Sequence, residues 1–154
     1  MFKKQITHSF IIPVKDEEGS IEPLYKEIIS SVEFLKNQLE IIFIDDGSTD
    51  HSYEKLLTLQ KDDPRVRVIR FRANFGKSAA LSKGFDVARG SIFITLDADL
   101  QDDPAEIPKF LSHLAKGFDL VVGRRQKRND PLSKKISSMI FNTITRIITG
   151  INLH

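Results

Sequence analysis

Apolar runs of six or seven residues alternate five times along this chain with stretches whose apolar residues recur at helical spacing. The runs predict strands over residues 9–14, 40–45, 65–71, 91–96 and 118–123. The intervening stretches predict helices over 20–37, 52–62, 77–88 and 104–116, and a last one over 132–149. Parallel neighbours need a long crossover, which a helix supplies, so the repeat confines the chain to the α/β class. The expected architecture is an open, mostly parallel sheet with helices on both faces. The runs at 9–14, 40–45 and 91–96 are continuously apolar, as strands covered on both faces are, whereas the run at 65–71 alternates and is expected to be half exposed.

Punctuation along the chain agrees with these boundaries. Ser20 stands where a helix cap is needed, and Thr49 or Asp50 does so for the second helix. Pro64 stops the second helix and Gly90 follows the third. Asp103-Pro104 reads as a cap followed by proline at the first helical position, and Gly117 closes that helix.

Length and composition bound the rest. A chain of 154 residues, 40% hydrophobic and 29% charged, suits one domain over 1–154. There is no cysteine, which excludes a disulfide scaffold, a thiolate metal site and a catalytic thiol. His8, His51, His113 and His154 have no metal-ligand spacing. Phe10-Ile11-Ile12 is cut at Pro13, short of the roughly 7–15 apolar residues of a signal core. No run approaches the ~20 apolar residues of a membrane span. The net charge of +2 conceals a strongly basic tail: from Leu120 onward there are seven cations and one acid, Asp130. Such a tail suits an anionic partner: phosphate, nucleic acid or a lipid surface.

In open α/β sheets ligands bind outside the carboxyl ends of the strands. Here those ends read Pro13-Val14-Lys15-Asp16-Glu17-Glu18, Asp45-Asp46-Gly47-Ser48-Thr49-Asp50, Asp97-Ala98-Asp99-Leu100-Gln101-Asp102-Asp103 and Gly123-Arg124-Arg125. Two carboxylates two residues apart in extended chain project to one side, so Asp97 and Asp99 can share a hard cation such as Mg²⁺ or Mn²⁺. Gln101 can add an oxygen, and the small Ala98 admits a nucleotide to the backbone. Alternatively, Asp102 and Asp103 cap the next helix and the other acids decorate a loop. Of Asp45 and Asp46, one can accept hydrogen bonds from a base or ribose, or the segment is a glycine turn leading to a cap. Arg124-Arg125 reads as a solvated pair or as a clamp on phosphate. The apolar stripe Ile136, Met139, Ile140, Ile144, Ile147, Ile148 reads as core packing or as an interfacial helix behind a basic patch. Gly76-Lys77-Ser78 looks like the end of a phosphate loop, but position 71 is Phe71, so the motif is not a Walker loop. Residues 74–77 instead close over a ligand or start a helix.

In order, Ile-Pro-Val-Lys-Asp-Glu-Glu (12–18), Ile-Asp-Asp-Gly-Ser-Thr-Asp (44–50), Asn-Phe-Gly-Lys (74–77) and Asp-Ala-Asp-Leu-Gln-Asp-Asp-Pro (97–104) resemble the family 2 glycosyltransferases, of GT-A fold. With Gly-Phe-Asp-Leu-Val-Val-Gly-Arg-Arg (117–125), the chain resembles their polyprenyl-phosphate branch, which includes dolichol-phosphate mannosyltransferases and bacterial undecaprenyl-phosphate glycosyltransferases. The resemblance implies an inverting transfer of a sugar from a UDP- or GDP-linked donor to a polyprenyl phosphate, with Mg²⁺ or Mn²⁺. It assigns Pro13, Lys15 and Glu17 to the first nucleotide-binding loop, and Ile44 and Asp46 to the base and ribose. Asp97, Ala98, Asp99 and Gln101 fall at the metal and diphosphate, with the metal held by Asp97, Asp99 and Gln101. Asp99 and Arg125 are the catalytic candidates, and Arg124, Arg125 and Lys134 the candidates for the acceptor phosphate. The family's first loop usually reads Pro-x-Tyr-Asn-Glu, so here Lys15 replaces the aromatic and Asp16 the asparagine. Implied partners are a nucleotide sugar, a polyprenyl phosphate and an anionic membrane surface, not nucleic acid. The implied location is cytoplasmic, at the cytoplasmic face of a membrane. Family members continue past Asn152-Leu153-His154, so a longer architecture is expected, of which this chain is the N-terminal part. Transfer to a polysaccharide or soluble acceptor, a non-catalytic nucleotide or membrane-surface module, and a nucleotidyltransferase are the alternatives.

Overall fold

The computed structural model describes residues 5–123. By internal contacts the chain divides into two compact units, Met1–Leu120 and Val121–His154, and the fold below is that of the first. Four strands form one sheet: β1 (His8–Val14), β2 (Leu39–Asp45), β3 (Val66–Arg70) and β4 (Ile92–Thr95). All pairings are parallel, in the order β3-β2-β1-β4. The crossovers carry α1 (Ile21–Ser31), α2 (Ser52–Asp62) and α3 (Lys77–Val87), and α4 (Ile107–Leu114) follows β4. The α/β reading of the sequence is thus borne out.

The period-two alternation of strand side chains divides the core into two layers. Phe10, Ile12 and Val14 of β1, with Leu39, Ile41 and Phe43 of β2, pack under α1, α2 and α4 through Leu24, Ile28, Leu56 and Ile107. On the other face Ile11, Ile42 and Ile44 meet α3 through Ala80, with Leu81 and Val87 beside it. Gly84 lets α3 lie this close, because a Cβ there would stand 2.2 Å from Ile11 Cγ2. Near the other end of the strands, buried Glu40 is satisfied by Ser9 Oγ at 2.8 Å, the Arg89 N–H at 2.6 Å and Arg67 Nη1 at 2.7 Å.

Several sequence expectations change. The first helix stops at Ser31 and a short 3₁₀ turn, Glu33–Leu35, completes the crossover. Ser20 does not cap α1 through its side chain; its hydroxyl donates toward the Glu17 carbonyl and carboxylate. The helix after Pro104 begins as a 3₁₀ turn, Pro104–Glu106, where Asp103 does cap, accepting the Ala105 N–H at 2.9 Å. β4 is not covered on both faces: it borders the sheet among the described residues, and Phe93 stands 47% exposed, edge-on to Phe85. Residues 118–123 form no strand, and Phe118, Leu120 and Val122 are exposed. A β-type run is a strand only where a neighbour pairs with it, and none does among the described residues. The helix expected over 132–149 lies outside the described residues.

Candidate functional site

β1 and β2 end level, with Val14 opposite Asp45, and the two loops that follow are laced together. The Asp16 N–H donates to Ser48 Oγ at 3.0 Å, the Glu17 N–H to Ser52 Oγ at 2.8 Å and the Glu18 N–H to Asp50 Oδ2 at 3.1 Å. In return Asp16 Oδ1 accepts the Thr49 N–H at 2.7 Å, and Glu18 Oε2 the His51 N–H at 3.0 Å. Asp16 itself is held at φ 53°, a left-handed conformation that aspartate tolerates. Lys15, 2.7 Å from its carboxylate, and the Thr49 N–H hold the Asp16 carboxyl well below its ordinary value, at about 2. Lys15 Nζ also donates to the Gly47 carbonyl at 3.1 Å. The side chain that replaces the aromatic of the family's first loop therefore ties the two loops together.

Asp45 and Asp46 take opposite faces of the sheet. Asp45 is fully buried toward α1 and α2, where Oδ1 accepts the Ser48 N–H at 3.0 Å and Oδ2 lies 3.1 Å from Arg70 Nε. That approach is a charge contact and lacks hydrogen-bond alignment. Asp46 faces α3. Its Oδ1 accepts the Phe75 N–H at 2.7 Å and its Oδ2 the Gly76 N–H at 2.9 Å, clamping the loop that opens α3. Residues 74–77 thus start a helix, as one of the two sequence readings had it.

A cleft of about 190 Å³ opens between the ends of β1, β2 and β4, lined by Pro13, Val14, Lys15, Glu17, Asp46, Lys77, Asp97, Ala98 and Asp99. It collects seven of the residues singled out in the sequence. Asp97 and Asp99 reach it differently from the extended geometry expected: β4 ends at Thr95, and the pair sits on a turn that passes into Leu100 at φ 59°. Asp99 Oδ1 accepts the Gln101 N–H at 3.1 Å, and Asp102 Oδ2 accepts the Asp97 N–H at 3.2 Å. Of the acids that follow the pair, Asp102 therefore serves the turn and Asp103 the cap of the next helical segment.

Two sequence assignments move. Ile44 does not reach the cleft: its side chain is wholly buried against Ile11, Ile42 and Ala80 below α3, because the even positions of β2 face that helix. The Gln101 side chain is exposed and does not line the cleft, and its backbone is what meets Asp99. Arg124, Arg125 and Lys134 lie outside the described residues. In the other direction, the structure adds Lys77, whose Nζ is paired with Asp97 Oδ1. Its sequence signals were its place in Asn74-Phe75-Gly76-Lys77 and in Gly76-Lys77-Ser78, which looked like the end of a phosphate loop.

The donor set of the cleft is carboxylate oxygen, which suits a hard divalent cation. Asp97 already holds a cation, the Lys77 ammonium, so the position attracts positive charge. Among the described residues no three or more acidic, histidine or cysteine side chains enclose a metal.

The acidic strand ends converge on one cleft at the carboxyl edge of a parallel sheet, where open α/β proteins bind their ligands. Residues 9–153 match the family described as glycosyl transferase family 2, and the chain belongs to that family. It is 40% identical over 144 residues to the undecaprenyl-phosphate 4-deoxy-4-formamido-L-arabinose transferase of Pectobacterium carotovorum, covering 92% of this chain and 44% of that one. It is 36% identical over 149 residues to the dodecaprenyl-phosphate galacturonate synthase of Rhizobium johnstonii, covering 95% and 44%. The chain thus spans less than half the length of these curated relatives. Glucosyl-3-phosphoglycerate synthase of Mycobacterium tuberculosis, solved with UDP, superposes with a TM-score of 0.61 at 22% identity, covering 92% of this chain and 50% of that one. Its complex with Mn²⁺, UDP and glucosyl-3-phosphoglycerate gives 0.54 at 25% identity, covering 70% and 39%. No helix among the described residues is long and apolar enough to cross a membrane.

Proposed function

We propose that this chain supplies the donor-binding part of a transferase that moves a sugar from a nucleoside diphosphate to a polyprenyl phosphate. The observation that carries the reading is the convergence of Asp97 and Asp99 with Pro13, Lys15, Glu17 and Asp46 on one cleft. The relatives named for undecaprenyl- and dodecaprenyl-phosphate products support the acceptor class. The structures holding UDP and Mn²⁺ support the donor class and a divalent cation.

In this reading residues 1–154 act as one nucleotide-sugar domain. Asp97 and Asp99 hold Mg²⁺ or Mn²⁺, which when bound neutralises charge on the departing diphosphate. Asp46 and Glu17 bound the nucleoside side of the cleft, and Lys15 fixes the loop between them. The anomeric carbon loses its bond to the diphosphate oxygen and gains one to the lipid phosphate oxygen, through an oxocarbenium-like transition state. The acceptor oxygen is already anionic, so the step needs no general base. Arg124, Arg125 and Lys134 are proposed to hold it against repulsion from the diphosphate, at the cytoplasmic face of a membrane.

Calorimetry of UDP and GDP binding with and without Mn²⁺ tests the donor site. Mn²⁺ is expected to tighten binding of one nucleotide, and Asp99→Ala to remove that gain. Binding indifferent to both the metal and the substitution sinks the reading. Product analysis with labelled nucleotide sugars and a polyprenyl phosphate, on a protein of the relatives' full length, tests the acceptor.

A further inference from the structure

The Lys77–Asp97 pair joins two elements that the sheet holds apart. Lys77 is the first residue of α3, and its start is fixed because Asp46 accepts the N–H groups of Phe75 and Gly76 just before it. Asp97 follows β4, on the far side of β1 from β2. The lysine side chain is 58% exposed and that of Asp97 32%, so the pair is open to water and worth little to the fold. A lysine head is a hydrated point charge on a flexible stem, so it can leave Asp97 while its backbone stays in place. When it leaves, it remains beside the cleft that the proposed diphosphate enters.

We propose that Lys77 is a built-in counter-ion that occupies Asp97 in the metal-free protein and couples divalent-cation binding to nucleotide binding. The proposal rests on the donor-site reading above. A divalent cation arriving alone must displace the ammonium from Asp97 and leave it unpaired. A cation arriving with a nucleoside diphosphate displaces it onto a new anionic partner. Cation and nucleotide therefore each raise the other's affinity, by one shared factor. Lys77 is on this account a positioning residue, acting through Asp97 and the ligand.

The test is Mn²⁺ affinity measured by electron paramagnetic resonance, with and without UDP or GDP, on the whole chain. Lys77→Met is expected to tighten Mn²⁺ binding in the absence of nucleotide by about two- to fivefold, the scale of an exposed ion pair. It is also expected to shrink the nucleotide-induced gain seen in the wild type. Lys77→Arg should restore wild-type behaviour. Lys83→Met, which removes an exposed charge from the same helix, should leave Mn²⁺ binding unchanged. An unchanged Mn²⁺ affinity in Lys77→Met, or an equal change in Lys83→Met, overturns the proposal while the donor site stands. A wild type that binds no Mn²⁺ even with nucleotide overturns the donor-site reading and this proposal with it.

Discussion

Asp46, at the end of β2, accepts the backbone N–H of Gly76 at 2.9 Å, 30 residues further along the chain. Its other oxygen takes the Phe75 N–H at 2.7 Å. One carboxylate, 4% exposed, therefore lines the cleft and sets where α3 begins. The residue that lines the cleft is thus also the one that fixes the loop before α3.

Asp46→Asn keeps the shape but turns an amide NH₂ toward one of two N–H donors. Loss of about 0.5–1.5 kcal/mol of stability is expected, the net worth of one hydrogen bond, because the Gly76 N–H keeps a second acceptor in Asn74 Oδ1. Urea unfolding measures it, and nucleotide affinity should fall in parallel. An unchanged midpoint would show that the clamp contributes nothing.

Two glycines beside this clamp separate strain from collision. Gly47 has φ 68°, and a Cβ there would lie 2.7 Å from the backbone carbon of Ala73. Gly76 has φ 89° with nothing within 4 Å of a Cβ. Gly76, at φ 89° and ψ 157°, sits in a backbone region open essentially to glycine alone, so Gly76→Ala is expected to cost about 1–3 kcal/mol from strain alone. Gly47→Ala should cost about 1–3 kcal/mol more, because backbone must move. Thermal melts of the two variants decide it, and equal losses would remove the collision.

Ile44→Ala tests the reassignment of that side chain from cleft to core. It should lose about 2–5 kcal/mol through the cavity left under α3. Nucleotide affinity of the folded protein should hold at wild-type level. A drop in affinity without a drop in stability would return Ile44 to the site.

Glu40 predicts part of the acid sensitivity. Burial pushes its carboxyl up, but hydrogen bonds from Arg67, the Arg89 N–H and Ser9 outweigh this and set it below its ordinary 4.5. A lowered folded value means that the stabilisation is complete above the unfolded value and fades as pH falls through the folded one. Denaturant unfolding between about pH 6 and pH 3 should thus show a shallower fall for Glu40→Gln than for the wild type. Parallel slopes would exclude Glu40 from acid unfolding.

Elements were legible wherever their signal was local. The β2 run over 40–45 and the helices opening at Ser52 and Lys77 were readable because apolar period and turn residues act within a few positions. The acidic strand ends were legible as a set, since a parallel sheet brings all carboxyl ends to one edge. The coverage of β4 was not: its run is as apolar as that of β2, but burial of both faces depends on what lies beside it. Ser20 likewise looked like a cap, and Glu17 drew its hydroxyl away.

By itself the sequence determined the parallel α/β sheet and the edge at which chemistry collects, because both follow from short-range hydrophobic period and from strand polarity. Tertiary structure decided which residues meet there. Asp45 and Asp46 are adjacent in sequence yet serve opposite faces, since one step along a strand reverses the side chain. Ile44 shares Asp46's face but lies one turn of the pleat deeper, under α3, and is core. Lys77 reaches Asp97 across 20 residues, a distance at which only the packing of α3 on β1 and β2 sets the pairing.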